Sequence, residues 1–414
     1  MTQTITNISE AGDIIATLGA KMLADKTQFL KSVDKEPASS FGQVNGYNVG
    51  QTIKINKPAR FIPSSSADVS AAIQDVVEQT TDLSLDTRKV IPIALTSAEV
   101  QNEMALKSWS KRILDPAVSS IAQHIENSFL ETTSDAVWNS VGTAGSTVFD
   151  TDTMLSARQK LKENLVPDDD NMFALLNSKA MRSAVNARKG LFQSSEDIKK
   201  QYRQGYVGMS DGFTFLENNL LPTHTNGNDV TGVEVRTTVS TEGQATLVVE
   251  GLTTTTGTVK KGSVFTIATV NAVHPITKED LGYLQQFVVT ADATADGSGY
   301  ATLSISPGIY TSGADNGLQN VTAFPADGDA ITFVGSASTG YGQNIAFHKS
   351  AIRFASVPLM LPSDAHMVSQ KTVDGMTLRV WMASDILTDK MIMRLDFLGG
   401  LSVVRPEWVC RITA

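Results

Sequence analysis

The sequence predicts an α+β fold that carries an inserted all-β domain, and three observations predict it. A long amphipathic helix is legible at residues 114–138. Helix and strand signals mix on both sides of the middle of the chain. Between about Thr225 and Thr339 the helical period disappears while threonines and roughly half of the 30 glycines accumulate.

The helix is read from LDPAVSSIAQHIENSFLETTSDAVW. Asp115-Pro116 is a start signal, because the Asp side chain caps free amides and a proline at the first helical position loses no hydrogen bond. Leu114, Val118, Ile121, Ile125 and Phe129 then recur at steps of three or four, with Ala136 and Val137 extending the stripe. Gln123, Glu126, Asn127 and Glu131 fall off it and are expected at the surface. At 1.5 Å per residue this spine would be roughly 36 Å long, about the diameter of a small domain.

The other elements follow in order. Residues 10–30 place Ile14, Ile15, Leu18, Met22 and Leu23 among polar residues, a short amphipathic helix in an N-terminal arm. From Gln51 the pattern alternates, with Ile53 and Ile55 set between Thr52, Lys54 and Asn56, as in a half-buried strand. A second extended piece is read at Asp82–Leu95, and the 61–80 segment between the two is too long for a tight turn. Two strands without a third are marginal in water, so this ribbon needs a partner from its own chain or from another copy. After a Gly/Ser/Thr hinge at 141–151, a helix is expected at Met154–Leu165 through Leu155, Leu161 and Leu165. A buried strand follows at Phe173–Leu176, then a helix capped by Ser178, then a helix-like run at 194–204. In the β module, strands are expected around Val235–Val239, 246–249, 264–270, 286–290, 300–305 and 330–334. Gly/Asp turns separate them, which suggests a small barrel or sandwich. A helical turn is allowed at Thr277–Leu281. Beyond Gly340, strands are read at 352–358, 376–382, 391–398 and 400–413.

Totals exclude several functions. A chain of 414 residues is read as about three domains, and 41% hydrophobic with 19% charged residues is ordinary for globular proteins. The net charge of −9, without a Lys/Arg block, argues against an independent nucleic-acid binder. The single cysteine, Cys410, lies in an apolar run and reads as an inert core thiol. The N-terminus lacks the features of a signal peptide, and no run suits a membrane helix.

Chemistry finds little support. Gly208-Met209-Ser210-Asp211-Gly212 matches a nucleophile elbow, but the helix-like run precedes it and the strand-like run follows, so a turn is expected. His124, His224, His274, His348 and His366 never show metal-ligand spacing. Asp168-Asp169-Asp170 lacks the alternating ligands of a calcium loop. No phosphate-binding glycine motif occurs. No catalytic residue, metal site or cofactor is therefore expected.

Three sets of residues carry a resemblance. They are the run into Gly212-Phe213 with Leu220-Leu221-Pro222, then Asn344-Ile345-Ala346-Phe347 with Ala351-Ile352-Arg353, then Arg394, Gly400 and Arg405-Pro406-Glu407. With the order of arm, extended loop, spine helix, central domain, insertion and resumed central domain, the chain resembles the major capsid (coat) proteins of tailed double-stranded-DNA bacteriophages. The fold implied is Hong Kong 97-like, of the short-tailed-phage type with an inserted β-barrel. The resemblance implies an N-terminal arm at 1–50, an extended loop at 51–95, a peripheral domain at 96–150, an axial domain at 151–225 with 341–414, and the insertion at 226–340. It also implies that the extended loop reaches over a neighbouring subunit. Ile53, Lys54, Ile55, Lys57, Arg60, Asp86, Arg88 and Lys89 are accordingly the expected inter-subunit contacts. The implied function is a structural, non-enzymatic shell subunit of the virion, assembled in the host cytoplasm as pentamers and hexamers. Its expected partners are a scaffolding protein and a portal protein, with a decoration protein left open, only weak or indirect contact to packaged DNA and none to membrane. Two other readings stay open at this point, the shell of an encapsulin-like nanocompartment and a β-rich binding or adhesion protein.

Overall fold

The computed structural model describes residues 8–41, 50–61, 70, 73, 78–96, 110–145, 150–188, 208–312, 316–363, 367–385 and 390–413. Contacts divide the chain into two units. One comprises Met1–Ile55, Thr80–Phe129 and Ile352–Val404, the other Asn56–Gln79, Leu130–Ala351 and Arg405–Ala414. Residues 341–414, expected as part of the axial domain, contribute strands to both units. The cause is strand pairing. Lys390–Val403 takes Thr87–Thr96 as a neighbour, whereas Gly340–His348 pairs with Met172–Leu176 and Val409–Thr413.

In the first unit a six-stranded sheet runs Asp34–Lys35, Ile352–Ser356, Lys390–Val403, Met376–Asp385, Met367–Val373, with Thr87–Thr96 also on Lys390–Val403. The expected second ribbon strand at 82–95 is therefore two strands. Thr80–Ser84 pairs with Thr52–Asn56, and Thr87–Thr96 zips along Lys390–Val403 from Thr87 opposite Gly399 to Thr96 opposite Lys390. Half of the ribbon thus finds its partner within its own chain. Gly400 permits the close approach, because a Cβ there would lie 1.9 Å from the Ser84 carbonyl oxygen.

The N-terminal helix, Ile8–Lys26, packs on this sheet through small residues. Ala16, Ala20, Leu23 and Ala24 are buried, while Ile14 and Leu18, read from the sequence as its apolar face, are 41% and 39% exposed. Glycine decides the face, since a Cβ at Gly19 would come within 2.7 Å of Leu378. The spine helix is Asp115–Asp135, preceded by one π-helical turn at Ser110–Leu114. Asp115 makes an ion pair with Lys26 at 2.8 Å at the point where the sequence suggested a cap. Leu114, Val118, Ile121, Ile125 and Phe129 are buried, as their spacing requires. Glu126 departs from expectation at 2% exposure, and its Oε1 accepts the Phe29 backbone N–H at 2.5 Å. Phe29 is the second residue of the short helix Gln28–Lys31, so the carboxylate takes up a first-turn amide.

The second unit holds a seven-stranded mixed sheet and a barrel. The sheet order is Ser140–Val141, Val409–Thr413, Gly340–His348, Met172–Leu176, Phe213–Glu217, Met209–Ser210, with Thr223–Thr225 on the start of Gly340–His348. Helices Thr151–Glu163 and Ser178–Arg188 cover it with Met154, Ala157, Leu161, Met181 and Ala184. Leu155 and Leu165, expected inside, are 46% and 42% exposed. The second of these helices is capped by Asn177, whose Oδ1 accepts from Ala180 N at 2.8 Å, and Ser178 is already helical. The helix-like run at 194–204 and most of 61–80 lie outside the described residues. The expected strand 400–413 is interrupted at Pro406–Trp408, where proline opens a 3-10 turn before Val409–Thr413.

The β module is a closed six-stranded barrel of Val233–Val235, Gln244–Glu250, Ala301–Ile309, Asp280–Val289, Val264–Val273 and Ala330–Phe333. Val233 opposite Ile331 closes it. Its interior alternates as a half-buried strand should, with Val235, Leu247, Ile267 and Leu303 around Phe265, whose ring lies 5.7 Å from Phe287 and 5.4 Å from Phe333. Asp280 and Leu281, within the allowed helical turn, instead begin a strand.

In the first unit Asp396 is fully buried and joins two arginines. Arg379 donates Nε at 3.0 Å and also Nη2, and Arg394 donates Nε at 2.6 Å. Removing one partner of a buried pair strands the other charge at a cost of about 3–5 kcal/mol. Asp396→Asn should therefore shift the urea unfolding midpoint strongly, and more than Arg394→Ala, whose side chain is 32% exposed. Equal midpoints for Asp396→Asn and wild type would refute this.

Candidate functional site

The expected contact residues occupy two different settings. Ile53 and Ile55 pack against Phe41, Leu83, Leu85, Val357 and Leu359, so their apolar faces already serve the first unit. Lys54, Asp86 and Arg88 are exposed, and Lys89 is half-buried on the strand facing Phe397. These charged groups are the part of the set left to solvent.

Lys57 and Arg60 belong to the second unit, where they line a cleft of about 220 Å³ with Trp138, Tyr310 and Glu407. Lys57 N–H donates to Gln79 at 2.7 Å, continuing the ladder outward, and Arg60 lies 3.6 Å from Glu407. Lys278 donates to the carbonyls of Gly317 and Gln319 at 3.0 and 3.3 Å. Burial, and then the Arg60 charge, push its ammonium down to about 8. Burial also lowers Lys57, with Glu407 opposing and Arg60 and Arg405 adding to the shift. With Lys57 and Arg60 against Glu407, the cleft holds more positive than negative charge.

A second arrangement fastens the barrel to the mixed sheet. Gln286 Oε1 accepts from Ser140 N at 2.8 Å and Lys160 Nζ at 2.5 Å, and its Nε2 donates to Ser140 O at 3.0 Å. Tyr283 donates to Glu163 at 2.7 Å, and burial with this bond raises its phenol well above the usual range. Arg411 donates to Gly262 O at 2.8 Å. No motif announced these groups. Their partners lie more than a hundred residues away, and no local signal in the sequence marks them.

The residues that carried the resemblance turn out to be structural. Asn344 is fully buried on the central strand of the mixed sheet. Its Oδ1 accepts from Asn177 N at 2.8 Å, and its Nδ2 donates to Ile412 O at 3.3 Å. Arg353 pairs with Asp34 and Glu36, and Arg394 with Asp396.

Gly208–Gly212 is a hairpin turn joining Met209–Ser210 to Phe213–Glu217, with Asp211 and Gly212 at φ of 54° and 81°. This is the geometry of a tight β-hairpin. The three carboxylates of Asp168–Asp170 do not converge. Asp168 pairs with Lys162, while Asp169 accepts from Asn171 N at 3.2 Å and sits 2.9 Å from His348. Among the described residues no His/Cys/Asp/Glu group is arranged to hold a metal ion, and no helix is long and apolar enough to cross a membrane. Burial pushes the Cys410 thiol up to about 11, as an inert core residue requires.

Hydrogen bonds from Asn171 and then His348 hold the Asp169 carboxyl down at about 2. A depressed carboxyl contributes stability above its unfolded value of about 3.9, lost as pH falls toward 2. The side chain is 43% exposed, so solvent screens the effect and keeps it small. Asp169→Asn should flatten the acid limb of melting temperature against pH between about 4 and 2. A limb as steep as wild type would remove Asp169 from the account.

A family model described as P22 coat protein, gene protein 5, matches residues 42–411. No curated protein matches the chain. Among solved structures it is similar to one from Mycobacterium phage Che8, at 14% identity and TM-score 0.47, covering 93% of this chain and 90% of that one. It is also similar to the capsid of Ralstonia phage GP4, at 8% identity and TM-score 0.44, covering 92% and 87%. The model match alone spans nearly the whole sequence, and the chain belongs to the P22 coat protein family.

Proposed function

We infer that this chain is the major capsid protein of a tailed phage, a structural subunit that self-assembles into the icosahedral shell around the double-stranded DNA genome. The observation that carries this reading is the coat-protein match across residues 42–411. The net charge of −9 is consistent with it, because a container wall should not bind the DNA packed inside.

The finer reading concerns contacts and partners. Head-to-tail association of identical wedges closes into rings when the rotation closes, here pentamers and hexamers, and many modest contacts sum to a stable particle. The strand pair Thr52–Asn56 and Thr80–Ser84 would reach a neighbouring subunit, with Lys54, Lys57, Arg60, Asp86, Arg88 and Lys89 as the contact residues. The barrel would support subunit folding and contacts between capsomers. Assembly would take place in the host cytoplasm on a scaffolding protein, with a portal at one vertex and decoration protein added outside.

The test is negative-stain microscopy of the full chain, alone and expressed with its neighbouring genes. Closed shells support the reading, and a monodisperse monomer under every assembly condition overturns it. Lys54→Glu with Arg88→Glu should leave the melting temperature nearly unchanged, since both sites are exposed and such substitutions usually cost within about 0.5 kcal/mol. The same variant should sharply reduce particle yield. Wild-type yield would remove these side chains from the interface.

A further inference from the structure

Arg411, on the terminal strand Val409–Thr413, is only 2% exposed. Its Nη1 donates to Gly262 O at 2.8 Å, but its Nε and Nη2 have no hydrogen-bond partner. Those two nitrogens form one edge of the planar guanidinium, the fork that grips an anion side-on. The same edge of Arg379 is occupied, with both nitrogens directed at Asp396. Arg411 presents an identical fork with no protein acceptor.

Arg411 lines a cavity of about 10 Å³ together with Ser140, His224, Gly262, Gln343 and Thr413. A space of that size takes about one water-sized occupant. A carboxylate or phosphate is too large.

The surrounding charges leave the arginine short of a counter-ion. Asp135 is the carboxylate whose charge acts on Arg411, yet it also pairs with Lys261 at 3.2 Å. Lys260 is matched by Asp292 at 2.9 Å. Glu131 lines the adjoining cleft, where it is exposed and screened by solvent. His224 adds no further positive charge, since burial and then the Arg411 charge hold it below the usual histidine range, and it supplies no negative one. A buried cation without full compensation is expensive, and one small anion on the open edge removes the deficit.

We propose that the Nε/Nη2 edge of Arg411 binds a single monatomic halide ion in the cavity beside His224 and Gln343. The ion completes a joint in which the barrel turn at Gly262 is pinned to the terminal strand of the mixed sheet. Halide therefore strengthens the seating of the barrel, independently of the coat-protein assignment.

The experiment uses unassembled full-length subunits in sodium chloride, sodium bromide or sodium gluconate at one ionic strength. Chloride and bromide should raise the melting temperature by about 1 °C or more over gluconate once the ion is well above its dissociation constant. The ³⁵Cl resonance should broaden saturably and sharpen again on adding bromide. His224 should titrate higher in chloride, because the bound anion offsets the arginine. Arg411→Gln should abolish all three effects. If that variant does not fold, the wild-type ³⁵Cl broadening and its competition by bromide decide the matter. Identical melting in all three salts with no broadening means ordered water alone fills the cavity, and the proposal fails. Broadening that persists in a folded Arg411→Gln places the ion elsewhere and also overturns it.

Discussion

The antiparallel pairing of Thr223–Thr225 with Gly340–Gly342 is the constraint on which the second unit rests. It brings together the two ends of a long excursion, from Asn226 to Thr339, that contains the entire barrel. Closing a flexible loop of on the order of 100 residues costs about 4 kcal/mol in chain entropy, more than three strand pairs return. The excursion must therefore order itself. It does so by closing a separate hydrophobic core around Phe265, Phe287 and Phe333. The outgoing strand of the stem, Gly340–His348, then runs directly into the centre of the mixed sheet, between Val409–Thr413 and Met172–Leu176. One continuous strand thus serves both the neck of the insertion and the core of the domain that bears it.

This arrangement suits a subunit that must associate with copies of itself without aggregating. Among the described residues the six barrel strands close on one another, so they offer no open edge as a template for uncontrolled pairing. The short pair Thr52–Asn56 and Thr80–Ser84 is the opposite case, a two-stranded ribbon with charged side chains along it. Its apolar side chains are committed to the first unit, through Ile53 and Ile55. If the ribbon makes the proposed contacts, specificity between subunits would fall to charge and shape, which favours reversible contacts and correction of errors during growth.

Much of this could be read from the residues. Short apolar runs set between Gly/Asp turns located the barrel strands, and the spine helix followed from a single 3.6-residue stripe. The failures share a physical origin. Gly12, Gly19, Ala16 and Ala20 carry little hydrophobicity, yet they are the residues that let the N-terminal helix lie against the sheet, so Ile14 and Leu18 misled. Glu126 looked like surface, because no local pattern shows that the first-turn amide of Phe29 lies beside it. Which neighbours the strands of 341–414 take was illegible for a related reason. Hydrophobicity marks Lys390–Val403 as a strand without saying that Thr87–Thr96 is its neighbour. The polar residues that seat the barrel, Gln286, Tyr283, Lys160 and Arg411, depend on long-range geometry and carry no motif.

The solitary thiol has a practical corollary. Cys410 is the sole cysteine in 414 residues, wholly enclosed beneath Thr151–Glu163 and protonated at any ordinary pH. To a maleimide or a gold surface the native subunit is blank. A single cysteine introduced at an outward position, for example in the hairpin around Ile276, would be the one handle per copy, and a particle built from such subunits would display dyes, drugs or antigens at a fixed, countable stoichiometry.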